Sequence, residues 1–505
     1  MAKTIQEELI NSPEEILDNL DQNFEHQERK EIKQLARRHN CRVSLVAELY
    51  KEYDQPEINK KIREEKTLPE PKKKFYIKTD NGRKFKPELL SDYILNNLDI
   101  KSIRESDNLF FYENNRYLHD SDSNRLDEII GNLTYGISLS ETKANKVKKK
   151  ILNNTKVDRD KMDQKDHLNL ENGILEVNET SYYLKPHSPK YFDTEKLPVK
   201  FKPEKNCNKF LNFLEEVLPN EEDRKTLQEM TGEVLLGRGD KYDKMFLLYG
   251  SGSNGKSSLM NIIKNLIGSE NTTGIPIESL SQERFKAAKL VDSKLNVDGD
   301  LSVDKVDSKM LKKLTGGDTI TVEEKYDRPF EYKNDTVLTF LTNHIPETED
   351  HSNGFFRRWI IIEFNQEFTD QNDNNPNRVP NIEEKICTPS ELSGILNWAI
   401  KGYLRLERQG HFSKNWSTEY TRSYWYKETD PTKFFIEKKV TKSPQNFQSK
   451  DNAYTHYENF CDKHGLISDS KNEFCKKIKQ NTNAKKTRKT IQNARVRGWK
   501  GILIS

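Results

Sequence analysis

The strongest constraint on this chain is the run Gly250-Ser251-Gly252-Ser253-Asn254-Gly255-Lys256-Ser257, which satisfies G-x-x-x-x-G-K-[ST]. Ahead of it stands the short apolar stretch Met245-Phe246-Leu247-Leu248-Tyr249. Behind it Leu259, Met260, Ile262, Ile263, Leu266 and Ile267 recur at helical spacing. Strand, glycine-rich loop and helix in that order form the context in which the pattern holds phosphate. Glycines let backbone N–H groups curl round an anion, and a helix N-terminus adds partial positive charge. Residues Gly250 to Ser258, Ser258 included, are the expected phosphate contacts. Lys256 can reach the β- and γ-phosphates, and the Ser257 hydroxyl can serve Mg2+. ATP and Mg2+ are the expected cofactors. The bland alternative is a glycine-rich turn before a helix.

Such a loop needs a metal-holding carboxylate on a second strand. Lys294-Leu295-Asn296-Val297-Asp298-Gly299-Asp300 ends a short apolar segment in two acids, and either could orient the Mg2+ shell while the other polarises water. An Asp-Gly turn closing a strand is the other reading. Thr336 to Thr342 predicts a third strand, ending at Asn343. An amide at that edge can sense the γ-phosphate or position water, and an ordinary turn before Pro346 would use the same residue. Arg357-Arg358 precedes the apolar run Trp359-Ile360-Ile361-Ile362. One of this pair can act as an arginine finger, or close a salt bridge at the strand's mouth.

These elements follow one another within 109 residues, with Thr342-Asn343-His344-Ile345-Pro346 as the third motif. In that order they resemble the superfamily 3 helicase core, a compact AAA+ ATPase, and are most similar to the phage, plasmid and poxvirus primase-helicases. Lys309-Met310-Leu311-Lys312-Lys313-Leu314-Thr315-Gly316-Gly317-Asp318 is similar to that family's segment before its DNA-contacting hairpin. Asn172-Gly173-Ile174-Leu175, His187-Ser188-Pro189 and Leu197-Pro198-Val199 look like the domain that precedes the helicase there. The resemblance covers roughly residues 85–505. It implies a ring-shaped homo-oligomer, usually a hexamer, with ATP between subunits and Arg357 or Arg358 reaching the neighbour's nucleotide. Gly299 separates two acids that are often adjacent in the family. Asp300 is slightly favoured over Asp298 as the metal-side acid, and the division of roles stays open.

Two segments are expected to meet DNA. Thr319 to Tyr326 is β-rich, Asp327-Arg328-Pro329 turns, and Phe330-Glu331-Tyr332-Lys333 resumes a strand. In the helicase context this is a hairpin projecting into the ring channel, where Lys325, Arg328 and Lys333 can contact phosphates and Tyr326 can stack on a base of the single strand. The second is the C-terminal stretch with Lys485, Lys486, Arg488, Lys489, Arg495 and Arg497, and no acid occurs from Lys476 to Ser505. Tyr454, Tyr457, Phe460 and Cys461 predict a helix upstream, and Gly498 to Ile504 predicts a terminal strand. Helices followed by a basic hairpin suggest a winged-helix-like module, possible on duplex DNA.

The expected fold class is α/β: an AAA+ P-loop core preceded by an α+β domain and followed by the winged-helix-like domain. Its divisions are residues 1–74, a helical appendage and a Pro/Lys-rich linker; 75–206, the α+β domain; 207–400, the ATPase; and 401–505, the basic domain. Ile32, Leu35 and Ala36, then Val43, Val46, Leu49 and Tyr50, predict two helices in the appendage. Asn172-Gly173 predicts a hairpin turn with two positive φ angles, residues 210–218, 227–235 and 393–406 predict helices, and residues 369–380 predict a surface loop.

Composition narrows the function classes. Lys plus Arg total 84 against 81 Asp plus Glu, so the net charge of +3 names no partner by itself. The hydrophobic fraction is 33%, low for a globular chain, and apolar stretches such as Trp359–Ile362 and Phe246–Tyr249 fall far short of a ~20-residue membrane span, so no membrane partner is expected. Five scattered cysteines with no Cys-x-x-Cys exclude a disulfide scaffold and argue against a zinc cluster. The acidic start MAKTIQEELINSPEE has no apolar signal core, and a cytoplasmic, intracellular location is expected. The leading functional expectation is an ATP-dependent DNA helicase replicating a virus, plasmid or integrated mobile element. A second adds cryptic priming. No convincing Asp-x-Asp strand pattern stands in the N-terminal part, so a helicase part with a separate primase and polymerase as partners is expected. A third is a replication initiator or regulator that binds DNA and uses ATP only to assemble.

Overall fold

The computed structural model describes residues 28, 30–32, 34, 46, 74–80, 82–120, 124–134, 139–178, 181–236, 239–282, 288–291, 293–299, 301, 305–306, 308–322, 330–368, 381–491 and 494–505. The predicted N-terminal helix pair lies mostly outside them. Of its residues, Ile32 and Val46 are described, helical and buried. The chain divides into two compact units, one running to Gln164 with His187–Glu195, the other comprising Lys165–Pro186 and Lys196–Ser505.

In the first unit, Tyr76–Thr79 and Gly82–Phe85 form a hairpin leading into the helix Pro87–Asn97. A four-stranded sheet follows in the order Arg116–His119, Leu109–Glu113, Ile100–Ile103, Lys156–Val157. The helices Pro87–Asn97 and Glu141–Thr155 bury Leu90, Ile94, Val147 and Ile151 in one cluster with Phe111 and Ile129. The returning segment adds Phe192 to a second cluster, packed on Phe110 and Tyr117. Tyr117 anchors it, its N–H donating to the Asp193 carbonyl (2.7 Å) and its hydroxyl to the Pro189 carbonyl (2.8 Å).

The second unit opens with a meander, β1 (His167–Leu170), β2 (Gly173–Val177) and β3 (Tyr182–Lys185). Leu168, Leu170, Leu175 and Val177 share a core with the helices α1 (Asn208–Val217) and α2 (Glu221–Leu236). That shared core is why residues 165–186 and 196–206 join the second unit, so the expected 75–206 domain is divided. The hairpin forms, but one residue earlier than Asn172-Gly173 suggests. Leu170 pairs with Gly173, leaving Glu171 and Asn172 as the turn. Asn172 braces the turn through its side chain, which donates to and accepts from the backbone of Phe201 (2.9 Å each). Gly173 has φ +148°, and a Cβ there would lie 2.4 Å from the Lys185 carbonyl oxygen, so glycine serves the close approach of β3.

The centre is a parallel five-stranded sheet. Its strands in chain order are β4 (Met245–Tyr249), which feeds the helix α3 (Lys256–Ile267), then β5 (Thr272–Thr273) and β6 (Leu295–Asp298). The helix α4 (Ser308–Thr315) and the antiparallel pair β7 (Thr319–Val322) and β8 (Phe330–Lys333) precede β9 (Val337–Thr342), and β10 (Trp359–Glu363) comes last. Across the sheet the order is β5-β6-β9-β4-β10. Both faces of β4 are covered, as a parallel sheet requires. Phe246 and Leu248 pack with α1, α2, α3 and the long helix α5 (Pro389–Gln409), while Met245 and Leu247 pack with Phe355, Phe356, Trp359 and Trp425.

Helix α5 runs unbroken across residues 400 and 401, where the sequence suggests a boundary. After it come α6 (Thr418–Thr429), α7 (Pro431–Lys439), β11 (Val440–Ser449), α8 (Lys450–His464), α9 (Lys471–Asn481), β12 (Lys485–Ile491) and β13 (Ala494–Ile504). Each helix from α5 to α9 starts at a side-chain cap: Thr388, Ser417, Asp430, Ser449 and Ser470 accept the N–H three residues on. The three strands form an antiparallel sheet with β13 in the middle. Among the described residues no helix is long and apolar enough to cross a membrane.

Candidate functional site

The glycine-rich run lies where β4 ends and α3 begins, at the carboxyl edge of the sheet. From β4 the chain passes to the far edge, returns through β6 to β9, and crosses to β10 on the other side. A loop between such diverging connections lies where open α/β sheets hold ligands. Its shape is imposed by neighbours. Gly255 has φ +83°, and a Cβ there would sit 2.6 Å from Val217 at the end of α1. Asn254 is buried and donates to the Phe364 carbonyl (3.2 Å), the Phe368 N–H donates to the Ser253 carbonyl (2.8 Å), and the Ser251 hydroxyl donates to Glu367 (2.5 Å). Residues 364–368 therefore brace the loop from outside.

Lys256, 6% exposed, donates to the Gly250 carbonyl (2.7 Å), Asn254 Oδ1 (3.0 Å) and Asn343 Oδ1 (3.2 Å). Burial holds its ammonium below the usual lysine range. All three acceptors are neutral dipoles, so an anion beside Lys256 would relieve the cost of burying its charge. Lys256 and Asn343, 87 positions apart in sequence, are thus brought together. Ser257 is exposed on the first turn of α3, and Ser258 is half-buried beside it. Asp298 ends β6, two strands from β4 with β9 between. It is buried and accepts the Ile277 N–H (3.1 Å). Asp300 lies outside the described residues.

Two ties hold α6 to this edge. Tyr424 donates to Glu363 (2.7 Å) at the end of β10, and Tyr249 at the end of β4 donates to Glu428 (3.0 Å). Burial, with the Glu428 charge, pushes the Tyr249 hydroxyl up to about 12. Nearby, Lys414 and Asp223 form a buried ion pair (2.7 Å).

The arginine pair stands at the other end of the sheet. Met245 pairs with Trp359 and Tyr249 with Glu363, so Arg357 and Arg358 precede β10 where β4 begins. At about 3.3 Å per residue, roughly 20 Å of strand separates them from Gly250, further than an arginine extends. Arg358 is buried, donating to Thr315 (2.8 Å) and the Gly354 carbonyl (2.6 Å). Arg357 is exposed and pairs with Asp243 (3.0 Å), while Lys244 donates to its carbonyl (2.6 Å). The β7–β8 pair enters β9 from this same end. Its last residue, Lys333, pairs with Asp240 (2.7 Å), and Lys325, Tyr326 and Arg328 lie outside the described residues.

Sequence reasoning passed over Glu367, Asp240 and Asp243. Each is a single acid without a motif, and only the fold sets it against the loop or the basic groups. The expected C-terminal cations fall on one ribbon, with Lys485, Lys486, Arg488 and Lys489 on β12, Arg495 and Arg497 on β13, all exposed.

Comparisons with known proteins bear on these regions. Residues 113–219 match the family model described as D5 N terminal like, and residues 248–358 match that of a family of unknown function, DUF5906. Over 172 residues the chain is 28% identical to "Putative helicase L207/L206" of Acanthamoeba polyphaga mimivirus. That match takes in 32% of this chain and 17% of the relative, so the chain spans about a sixth of that protein's length. Among solved structures, the A form of the apo NrS-1 C-terminal region matches with a TM-score of 0.47 at 10% identity, covering 82% of this chain and 98% of that one. A second apo structure of the same region gives 0.46 at 12% identity, covering 82% and 99%. The chain is therefore a mixed α/β protein with a D5 N terminal-like segment and a helicase-named viral relative.

Proposed function

We propose that this chain is an ATP-dependent DNA helicase acting in replication of a virus, plasmid or mobile element, with an AAA+ P-loop core of the superfamily 3 type working as a ring. The observation that carries the reading is the buried Lys256, folded at the carboxyl edge of a parallel sheet between a glycine loop and Asn343. The D5 N terminal-like segment and the helicase name of the mimivirus relative support it.

In this reading backbone N–H groups of residues 250–258 cradle the triphosphate, and Lys256 turns from the Gly250 carbonyl to the β- and γ-phosphates. Ser257 and Asp298 or Asp300 would hold Mg2+, which supplies charge neutralisation on the phosphates. Asn343 orients the attacking water or senses the γ-phosphate. Arg357, exposed and unable to reach its own loop, serves the neighbouring subunit's nucleotide, while Arg358 fastens the strand that carries it. The β7–β8 hairpin grips the single strand, and the helix-and-ribbon domain after α6, winged-helix-like in its order, meets duplex DNA.

A strand-displacement assay with ATP and Mg2+ tests this. Lys256→Ala should lower unwinding and ATP hydrolysis by roughly two orders of magnitude or more. Equal unwinding by both proteins discards the reading. DNA binding without turnover in the wild type would favour a regulator, and nucleotide incorporation on an unprimed template would reveal priming.

A further inference from the structure

The two faces of the C-terminal ribbon are not equivalent. Strand register places Lys485, Thr487, Lys489, Val496, Gly498 and Lys500 on one face, with Lys486, Arg488, Thr490, Arg495, Arg497 and Trp499 on the other. Trp499 is fully buried against Phe474 of α9, with the Lys450 ammonium over its ring, so the second face is the one turned toward the helices. Gly501 preserves that orientation. At φ +107°, beside the register shift of β11, it moves the alternation by one, so Ile502 and Ile504 are buried on the core side and Leu503 is exposed.

On the outer face Lys489 lies over the Phe447 ring, which also covers Gly498. On the helix-side face, Arg488 stands directly opposite Arg497. Like charges set across a ladder oppose sheet formation, and no acid follows Lys476 in the chain. Cys475 on α9 shows where this face leads. Its thiol is raised by burial and by Asp451, while the ammonium groups of Lys450, Lys471 and Lys486 pull it down, and Lys471 is itself paired with Asp451, which leaves Lys450 and Lys486 as the cations this side adds.

We infer that the helix-side face, through Lys486, Arg488, Arg495 and Arg497, is the surface that grips the phosphate backbone of duplex DNA, and that the lysine face opposite is not. The inference rests on the proposed DNA-binding role of this domain and adds which face performs it. A phosphate seated between Arg488 and Arg497 turns a repulsive pair into a clamp with bidentate donors.

Two double variants of the full chain separate the faces, each removing two positive charges: Arg488→Gln with Arg497→Gln, and Lys485→Gln with Lys489→Gln. Fluorescence anisotropy with a labelled random-sequence duplex, without nucleotide and across a salt series, reads affinity. Circular dichroism melting checks that both variants fold. The arginine pair should lose about tenfold or more in affinity and about two units of salt slope, against a change within about twofold for the lysine pair. Equal or greater loss from the lysine pair overturns the inference while leaving the domain's DNA role standing. No loss from either folded variant overturns both.

Discussion

At the scale of single residues, Lys256 and Glu367 face the same loop with opposite charges. Lys256 has only dipoles for partners, so a triphosphate gains from it. Glu367 holds the Ser251 hydroxyl, and its carboxylate stands against an incoming anion. Because Glu367 is exposed, solvent screens that repulsion and the effect is modest. Glu367→Gln should keep the hydrogen bond and tighten ATP binding by about 0.2–1 kcal/mol, roughly 1.5- to 5-fold in Kd by calorimetry. Unchanged or weaker binding would show that the carboxylate does not oppose the nucleotide.

At the scale of elements, α4 is pinned to the segment after β9 by one acid. Asp350 accepts from Lys312 (2.7 Å), the Ser308 hydroxyl and the Ser352 N–H (2.8 Å). Burial alone would raise its carboxyl, but these donors hold it well below the ordinary carboxylate value. A depressed folded value means the stabilisation is present above the unfolded value of 3.8 and fades as pH falls below it. Asp350→Asn should therefore cost about 1–2 kcal/mol near neutral pH by denaturant unfolding, with the gap to wild type narrowing below that point. A gap that is constant with pH would mean the charge contributes nothing. The neighbouring His351 accepts from or donates to Tyr426 of α6 (2.9 Å), so this acid lies beside the contact between sheet and C-terminal helices.

At the scale of the whole molecule, the sheet separates the proposed functions by its two ends. The phosphate loop, Lys256 and Asn343 stand at the carboxyl edge, and Arg357 with the base of the β7–β8 pair at the amino edge. In the proposed ring, one chain would thus offer half of two different sites. Lys256→Ala and Arg357→Ala, each inactive alone, should regain measurable ATP hydrolysis when mixed before assembly, because some seams then pair an intact loop with an intact arginine. Absence of any recovery in mixed oligomers would show that Arg357 does not act across a seam.

Much of this was readable from residue order. Short apolar runs announce β4 and β10, because a strand buried on both faces is apolar throughout, helical spacing announces α3, and β6 and β9 show as shorter apolar stretches interrupted by Asn296 and Thr339. Glycine spacing announces the loop, because the backbone there must turn in ways other residues resist. Apolar stripes at 210–218, 227–235 and 393–406 announce helices that the structure extends to 208–217, 221–236 and 389–409. Contacts across long sequence separation leave no such trace. Residues 165–186 part from the segment before them because Leu168 and Val177 bury against helices that come later. Which of two adjacent arginines stays exposed depends on Thr315 and Asp243, and the inner side of the ribbon on where Trp499 is buried. Local patterns encode what a segment can become; its partners, and so its charge environment, exist only once distant segments pack.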